Sequence, residues 1–317
     1  MKPSPEFQIV EHLRALSGTD PGVITGIGDD AAVLAPTEGN HLVTCVDTLI
    51  EGVHFPKDTA AQAIGHKCLA VNLSDLAAMG ARPRWATLAL SLTTSDEHWV
   101  DGFAAGWRTL AERHQVSLVG GDTTRTPGPI TATVQLIGEL PPGQALTRNG
   151  AKPGDKLAVT GHLGGAALAL QLLKNNEDPS PMLRNCLDRP QPRVAAGAAL
   201  LPLASACIDL SDGLAADLPH ILSDSGVGAE VDLAALPYHP SLEALPAQDS
   251  LNLVLAGGDD YELCFTYRPK CHDMIAELMQ QARQPFSVIG TIESEPVLKW
   301  KGQGALSIAQ GYGHFRG

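Results

Sequence analysis

Apolar residues recur with two different spacings in the first part of the chain. Spacings of three and four residues are typical of amphipathic helices, whereas short apolar runs between polar residues are typical of strands. The predicted helices are Glu6–Leu16, Ala61–Met79 and a segment carrying Trp99, Phe103, Trp107 and Leu110, and the predicted strands are His41–Asp47, Trp85–Leu92, Val116–Val119 and Ile130–Gly138. Thr94-x-x-Glu97 has the form of a capping box ahead of the third helix.

The segment Pro141–Gly154 is rich in glycine, proline and polar residues, which predicts a linker. Beyond it, the same two patterns return. The predicted strands are Lys156–Thr160, Ala206–Leu210, Ala229–Leu233, Leu253–Ala256, Tyr261–Thr266 and Phe286–Ile292, and the predicted helices are Gly165–Lys174, Leu214–Ser223 and Asp273–Arg283. Strands mixed with helices in both halves favour an α/β or α+β fold with two domains, residues 1–140 and 150–317.

Composition narrows the possible classes of protein. A hydrophobic share of 44% with 18% charged residues excludes a disordered chain, and 317 residues suit two domains. The net charge of −13 opposes binding to nucleic acid. The six cysteines form no C-x-x-C pair, which favours reduced thiols. The sequence shows neither a signal peptide nor the ~20 consecutive apolar residues of a membrane-spanning helix, so we expect a cytoplasmic protein without membrane contact.

Aspartates stand repeatedly at the ends of apolar runs. The segments are Gly28-Asp29-Asp30, Val46-Asp47, Leu73-Ser74-Asp75, Gly121-Asp122, Asp209-Leu210-Ser211-Asp212 and Gly258-Asp259-Asp260. A single Gly-Asp pair is more often a turn or a helix cap than a ligand. Carboxylates gathered from six such segments would repel one another unless cations lay between them. Mg²⁺ suits carboxylate oxygens and commonly bridges them to substrate phosphates, so the pattern predicts a magnesium site.

Familiar nucleotide and hydrolase motifs are missing. No Gly-Lys dipeptide occurs, so the P-loop pattern is absent, and no G-x-S-x-G motif indicates a serine hydrolase. Gly26-x-Gly28-x-x-Ala31 matches a dinucleotide fingerprint only superficially, because Asp29 and Asp30 would face the pyrophosphate. Any phosphate binding is therefore expected to depend on metal ions.

Three further residues each have two interpretations. His54 is either a structural histidine or a contact to an anionic ligand. Arg148 is either a solvated linker charge or a clamp on phosphate oxygens. Tyr312, in a glycine-rich tail, is most simply explained by packing of the C-terminus.

Taken in order, the motifs resemble those of the bacterial thiamine-monophosphate kinases, within the aminoimidazole-ribonucleotide-synthetase-like superfamily. The resemblance runs from about Ile27 to Tyr312. It rests on Gly26-Ile27-Gly28-Asp29-Asp30, Val46-Asp47-Thr48, Asn72-Leu73-Ser74-Asp75-Leu76, Gly120-Gly121-Asp122-Thr123-Thr124, Leu146-Thr147-Arg148, Asp209-Leu210-Ser211-Asp212-Gly213 and Gly257-Gly258-Asp259-Asp260-Tyr261.

This resemblance implies a fold, a reaction and a set of site residues. The fold has an N-terminal α/β domain that dimerises through its sheet and a C-terminal α/β domain that completes the active site. The reaction transfers the γ-phosphoryl group of ATP to thiamine monophosphate, giving thiamine diphosphate, in a homodimer. The implied ligands of several Mg²⁺ ions are Asp30, Asp47, Asp75, Asp122, Asp209 and Asp212; the implied ATP contacts are Gly121, Asp122, Arg148 and Ser211; and the implied acceptor contacts are His54, Asp259 and Tyr312.

The chain departs from the family pattern at two places. Cys45-Val46 stands where the family often has Ser or Thr before Asp47, so only backbone carbonyls would ligate metal there. Gly-Gly-Asp-Asp replaces Gly-Gly-Glu-Asp, which shortens the side chain at Asp259 by one methylene. We expect the direct acceptor contact to be lost or bridged by water.

Mechanistic reasoning from the residues agrees with the resemblance. An acceptor phosphate is already ionised near neutral pH, so transfer needs positive charge rather than a general base, and we assign none. Three alternatives stay open: another ATP-dependent synthetase of the superfamily, a Mg²⁺-loaded nucleotide-binding or regulatory protein without turnover, and a metal-dependent phosphatase.

Overall fold

A computed structural model of the chain describes residues 5–302, 304 and 307. The chain forms two compact units. Unit 1 comprises the chain up to Leu76 together with Ala81–Gly143, and unit 2 comprises Ala77–Gly80 together with the chain from Gln144 onward. Tyr312 lies outside the described residues. Within the described part, no helix is both long enough and apolar enough to cross a bilayer.

Unit 1 packs helices against one four-stranded sheet. Its helices are α1 (Pro5–Arg14), α2 (Ala61–Ala78) and α3 (Glu97–His114), and its strands are β1 (Val23–Thr25), β2 (Val33–Leu34), β3 (His41–Ile50), β4 (Arg82–Leu92), β5 (Ser117–Arg125) and β6 (Thr131–Leu140). The sheet order is β3-β6-β4-β5. Only β4 and β5 run parallel, and β1 and β2 form a separate antiparallel hairpin.

Helix α3 begins at a different cap from the one predicted. The side chain of Asp96, not Thr94, accepts hydrogen bonds from the backbone N–H groups of His98 and Trp99. Aspartate satisfies the otherwise unpaired donors of the first turn as well as threonine does, so the competing cap two residues along decided the start. The helix ends at Gln115, which adopts a left-handed conformation with φ 56°.

Helices α2 and α3 approach each other closely through two glycines. A Cβ atom at Gly65 would lie 2.0 Å from the carbonyl oxygen of Phe103, and one at Gly106 would lie 1.8 Å from that of Gln62. Neither distance is sterically possible, so glycine is required at both positions for the backbones to touch. This contact holds α2, and with it Asp75, against the rest of unit 1.

Unit 2 is built on a six-stranded sheet. Its helices are α4 (Gly165–Lys174), α5 (Pro181–Asp188), α6 (Val194–Leu200), α7 (Leu214–Ser225), α8 (Ala247–Ala256) and α9 (His272–Gln281), and its strands are β7 (Lys156–Thr160), β8 (Ala204–Asp209), β9 (Gly228–Asp232), β10 (Leu263–Tyr267), β11 (Phe286–Glu293) and β12 (Leu298–Lys301). The sheet order is β12-β9-β11-β7-β10-β8, with only β12 and β9 parallel. Helices and sheets in both units confirm the predicted fold class.

The predicted strand Leu253–Ala256 is wrong. These residues form the last turn of α8, whose first turns are polar and begin at Ala247. A four-residue apolar run has no resolvable period, so it fits a strand and the end of a helix equally well. The sequence patterns also did not predict α5, α6, β12 or the β1–β2 hairpin.

Strands β7 and β10 lie inside the sheet and are buried on both faces. Residues Leu157–Thr160 and Leu263–Tyr267 have no exposed member. One core cluster includes Leu157, Val159 and Cys264, and another includes Ala158, Leu263 and Phe265, as expected when side chains alternate between two covered faces. All six cysteines are free thiols, and Cys68, Cys207 and Cys264 are buried. The loop that follows β8 and the loop that precedes β10 hold the aspartate motifs of unit 2.

Candidate active site

Asp47 and Asp75 are brought together in unit 1. Residues alternate in direction along β3, so Cys45 and Asp47 share the face that is covered by α2. On α2, Cys68, Asn72 and Asp75 follow one another at helical spacing. The Cys45 thiol donates to the carbonyl oxygen of Asn72 at 3.4 Å, which fixes the strand against this helix face.

The Asp47 and Asp75 carboxyl groups are hydrogen-bonded to each other, and both residues are half-buried. Burial raises the pKa of Asp47, and the hydrogen bond from Asp75 opposes that rise. Burial, then the charges of Asp75 and Asp47, raise the pKa of the neighbouring Cys45 thiol. Two carboxylates this close need either a shared proton or a cation. Hard oxygen donors at a partly exposed position fit a divalent ion such as Mg²⁺.

Asp47 does not lie at the end of its strand, contrary to the prediction that these carboxylates sit where strands end. It lies inside β3, which continues to Ile50, and Asp122 likewise lies inside β5. Residue Asp47 pairs with Val134, Val134 with Leu88, and Leu88 with Gly121. Asp47 and Gly121 therefore occupy the two edge strands, three strand spacings or roughly 14 Å apart.

Gly121 is explained by strand pairing as well as by any ligand. A Cβ atom there would lie 1.9 Å from the carbonyl oxygen of Leu88 on the neighbouring strand. Its neighbour Asp122 is exposed on the edge strand β5. Asp30 is also exposed, at the tip of the β1–β2 hairpin, where its N–H donates to the Asp29 carboxylate at 2.9 Å. Among the described residues of one chain, neither Asp30 nor Asp122 joins Asp47 and Asp75 in a cluster that could hold a metal ion.

His54 lies in a tight turn that follows β3. Its Nδ1 accepts the backbone N–H of Ile50 at 3.0 Å, so contact with a ligand would use Nε2. The ammonium group of Lys67 donates to the His54 carbonyl at 3.1 Å, and Lys67 is only 2% exposed. Sequence reasoning missed Lys67. The signal was a lysine inside the apolar helix 61–78, because a lysine is rarely buried without a specific partner.

In unit 2, two aspartate motifs pack backbone to backbone. The Asp259 N–H donates to the Ser211 carbonyl at 2.9 Å, and the Tyr261 N–H donates to the Leu210 carbonyl at 2.8 Å. Gly258 is required here, because a Cβ would lie 2.4 Å from the Ser211 oxygen. Asp259 and Tyr261 adopt positive φ values of 69° and 50°. The Tyr261 hydroxyl donates to the Asp259 carboxylate at 3.0 Å, so Ser211 and Asp259 are held in fixed positions.

A buried carboxyl supports the loop after β8. Asp209 ends this strand and is 8% exposed, and Asp212 follows it in the loop. The Asp212 N–H donates to Asp217 at 3.0 Å. Burial raises the pKa of Asp217 to about 7, the bond from Asp212 opposes the rise, and the charges of Asp212 and Asp209 add to it. Asp217 therefore lies close enough to Asp209 and Asp212 to be affected by the charges of both.

A second group of carboxyls lines a cavity of about 180 Å³ in unit 2. Asp260 accepts the Gly164 N–H at 2.9 Å, at the start of α4. Burial raises the pKa of Asp260 well above its usual value, and nearby carboxylates contribute to the rise. Glu262 is paired with Arg193, whose Nε donates at 2.6 Å. Asp259 also lines this cavity. Sequence reasoning missed both Arg193 and Asp217, because nothing in the sequence around them marks them as unusual.

Arg148 is exposed in unit 2, and Ser225 Oγ donates to its carbonyl oxygen at 3.3 Å. The neighbouring Thr147 carbonyl accepts the Cys207 N–H at 2.9 Å, which fixes the backbone of this segment beside β8. The guanidinium group is thus carried on an anchored backbone. Among the residues that the structure describes, no three His, Cys, Asp or Glu side chains converge closely enough to hold a metal ion on their own.

Comparison with known proteins gives a consistent result. The family profile "AIR synthase related protein, N-terminal domain" matches residues 28–140, and the corresponding C-terminal domain profile matches residues 152–301. A thiamine-monophosphate kinase of Escherichia coli K12 is 43% identical, covering 87% of this chain and 90% of the relative. These matches span the two halves of the chain in which the family-like motifs lie.

Two solved structures extend the comparison. A crystal structure of thiamine-monophosphate kinase from Stenotrophomonas maltophilia K279a superposes with a TM-score of 0.88 at 44% identity, covering 94% of this chain and 96% of that one. A structure described as AaThiL complexed with AMPPCP and TMP has a TM-score of 0.77 at 29% identity, covering 98% of this chain and 97% of that one. The chain therefore belongs to the thiamine-monophosphate kinase family, within the AIR synthase related proteins.

Proposed function

We propose that the chain transfers the γ-phosphoryl group of ATP to thiamine monophosphate and releases thiamine diphosphate. The observation that carries this proposal is the hydrogen-bonded Asp47–Asp75 pair, two oxygen donors arranged for a divalent cation, in a chain of this family. The related AaThiL structure is described as a complex with AMPPCP and TMP. These two ligands correspond to an ATP analogue and to the proposed acceptor.

Several carboxylates are proposed to hold Mg²⁺ in this reaction. They are Asp30, Asp47, Asp75 and Asp122 in unit 1 and Asp209 and Asp212 in unit 2. When bound, Mg²⁺ supplies positive charge that offsets repulsion between the donor and acceptor phosphates. The proximity of the Asp47 and Asp75 side chains supports the proposal in unit 1. In unit 2, the charges of Asp209 and Asp212 both act on the neighbouring Asp217, which places these two proposed ligands in one loop region.

The remaining site residues are proposed to orient the two substrates. Gly121, Asp122, Arg148 and Ser211 are assigned to ATP, and His54, Asp259 and Tyr312 to the acceptor. The Ser211 loop and Asp259 are held by mutual backbone hydrogen bonds, so their positions are set before substrate binds. Preorganisation of this kind brings the acceptor oxygen into line without a large entropic cost at the moment of transfer.

No general base is needed, because the acceptor phosphate is anionic at neutral pH. This property separates the proposed acceptor from unphosphorylated thiamine, whose neutral hydroxyl would have to lose a proton. Thiamine also lacks the phosphate that anchors the reacting end. Offering each compound separately with ATP and Mg²⁺, and weighing the products by mass spectrometry, tests the proposal.

Thiamine monophosphate is expected to gain one phosphoryl group, and thiamine is expected to remain unconverted. Release of inorganic phosphate without thiamine diphosphate would favour a phosphatase instead. ATP binding without any product would favour a regulatory nucleotide-binding protein, and turnover with a different small acceptor would favour another synthetase of the superfamily. Comparable conversion of thiamine would contradict the base-free mechanism.

A homodimer formed through the unit 1 sheet is part of the proposal. The uncovered face of β3 carries Leu42 and Val46, which are 56% and 62% exposed. Thr44 and Thr48 on the same face carry hydroxyl groups rather than charges. A strand face of this composition is more stable against a second apolar face than in water. Light scattering of the purified chain is expected to give twice the mass of one chain.

A further inference from the structure

The β1–β2 hairpin has an anchored base and an exposed tip. At its base, the Ala35 N–H donates to the Gly22 carbonyl at 2.7 Å, and Asp20 and Thr37 flank the two strands. At its tip, Asp29 and Asp30 are both exposed. The attachment of the base is therefore one of the contacts that set the position of the tip, together with Arg14 of α1, which lies beside Gly28.

Arg84, on β4, contacts both ends of the hairpin. Its Nε and Nη2 donate to the two carboxylate oxygens of Asp20, each at 2.8 Å. Its Nη1 donates to Thr37 Oγ1 at 3.1 Å and to Glu139 Oε2 at 2.7 Å. Glu139, on the neighbouring strand β6, accepts both the N–H and the hydroxyl of Thr37 at 2.7 Å. One guanidinium thus links the start of the hairpin, its end and the sheet.

These groups are almost completely withdrawn from water. The side chains of Arg84, Asp20 and Glu139 are 8%, 10% and 2% exposed. The guanidinium carbon of Arg84 also lies 4.6 Å from the centre of the Trp85 ring. A paired two-oxygen contact from arginine is stronger and more directional than a single bond, and burial prevents water from competing for it. The attachment is therefore rigid.

We propose that Arg84 is a positioning residue for the Asp30 carboxylate. By fixing both ends of the hairpin to the sheet, it sets where the tip presents Asp30 to a divalent cation. The inference rests on the proposed function, in which Asp30 is a metal ligand. Neither the sequence motifs nor the family resemblance pointed to Arg84.

The first test measures the hairpin itself, in the absence of metal and nucleotide. Arg84→Met is compared with Arg82→Met, a matched change on the same strand at an exposed arginine whose contact is with Gln115. Hydrogen exchange of residues 22–35 is expected to accelerate in Arg84→Met and to stay at the parent rate in Arg82→Met. Unchanged exchange in Arg84→Met would overturn the proposed attachment.

The second test measures the cation. In Arg84→Met, half-saturation by Mg²⁺ in the presence of a non-hydrolysable ATP analogue is expected to need about 10-fold more metal, as for other residues that orient ligands indirectly. Arg84→Lys is expected to recover part of the loss, because it keeps the charge but not the two-pronged contact. Faster exchange with unchanged Mg²⁺ half-saturation would make Arg84 merely structural and overturn the proposal.

A double-mutant cycle with Asp30→Asn separates the positioning role of Arg84 from the metal-ligand role of Asp30. If Arg84 acts through Asp30, adding Arg84→Met to Asp30→Asn changes Mg²⁺ half-saturation little further. Additive effects would overturn the positioning role. If Asp30→Asn alone leaves Mg²⁺ half-saturation unchanged, the assignment of Asp30 in the proposed function fails, whatever the exchange of the hairpin shows.

Arg84→Met leaves two buried carboxylates without their partner, so a milder variant is included. Thr37→Val removes the hydroxyl that donates to Glu139 and accepts from Arg84, but it leaves both ion pairs in place. We expect smaller changes in the same direction for exchange and for Mg²⁺ half-saturation. Parent values for both in a folded Thr37→Val protein would contradict the proposal.

Discussion

Asp47 and Asp75 lie within hydrogen-bonding reach of each other, so ionising both carboxyl groups is unfavourable without a cation. Removing one of the two carboxylates should therefore favour folding in the absence of metal and weaken the binding of metal. An amide at position 75 still donates a hydrogen bond to Asp47, but it no longer attracts a divalent ion. This opposition distinguishes a functional carboxylate from a structural one.

Asp75→Asn is expected to lower turnover by about 100-fold or more at saturating Mg²⁺, because a metal ligand is lost. The melting temperature without metal is expected to be no lower than that of the parent. Asp224→Asn, at an exposed position on α7, is the control and should leave both unchanged. Activity of Asp75→Asn within a few-fold of the parent would contradict its role as a metal ligand.

His114 is a second residue with a measurable signature. It ends α3, and its Nε2 is buried without a hydrogen-bond partner among the described residues. Burial, then the charges of Arg113 and His66, lower its pKa to about 4. In the unfolded chain the pKa is near 6.5, so the unfolded state binds more protons between these values. The free energy of unfolding must then fall as pH drops from about 6.5 to about 4.

In this pH window the loss reaches roughly 3 kcal/mol at most, at about 1.4 kcal/mol per pKa unit. His114→Gln is expected to flatten the dependence, and His98→Gln, at an exposed position on the same helix, is expected to leave it as in the parent. Urea denaturation at several pH values measures both. Equal slopes for His114→Gln and the parent would show that His114 does not carry the effect.

The sequence singled out candidate site residues more readily than the residues that support them. Asp47, Asp75 and Asp212 carry visible signals because charged residues beside apolar runs are unusual. Arg84 acts through Asp20, Thr37 and Glu139, which are distant in sequence, so no local pattern marks it. Whether two carboxylates meet depends on strand register and on the face of a helix, and these became known only with the fold.

Helix α2 meets α3 at a contact that only glycine permits. Alanine normally stabilises a helix over glycine by about 1 kcal/mol. At Gly106, however, the added methyl group would meet the Gln62 carbonyl at 1.8 Å and force the helices apart. The steric cost of the methyl group therefore opposes the higher helix propensity of alanine. Overpacking of this kind lowers the free energy of unfolding by about 1–3 kcal/mol.

Gly106→Ala is therefore expected to lower the free energy of unfolding by about 2 kcal/mol. Gly102→Ala, on the same helix, places its methyl group 3.3 Å from that of Ala61 and should cost much less. Thermal unfolding monitored by circular dichroism compares the two variants. A Gly106→Ala protein as stable as Gly102→Ala would show that α2 and α3 can separate without loss.

The type of the long elements was predicted correctly, and that of one short apolar run was not. Helix α2 has 18 residues and strand β3 has 10, so each offers more residues from which to infer its type. The run Leu253–Ala256 has four residues, and its helical identity is set by contacts of α8 with the rest of unit 2. The strands of the β1–β2 hairpin have three and two residues, too few to show a period, and part of the hairpin's attachment comes from the distant Arg84 through its ion pair with Asp20.

The chain has candidate carboxylates in both units, more than one cation can use. Activity is therefore expected to keep rising as Mg²⁺ increases beyond the amount needed to complex all ATP. Initial rates at fixed ATP, with ionic strength held constant by KCl, measure the dependence. A curve that saturates once ATP is fully complexed would indicate a single essential ion carried by the nucleotide.

The order of strands in unit 2 also sets the course of its folding. Strand β7 is the first strand of this sheet to be synthesised, yet its neighbours are β10 and β11 near the other end of the chain. The Leu263 N–H, for example, bonds to Thr160 Oγ1 across 103 residues. Contacts of such sequence separation slow folding, because the loop must close before they form. During synthesis β7 therefore stays without its sheet partners until β10 has emerged, and its apolar residues need protection from aggregation over that interval.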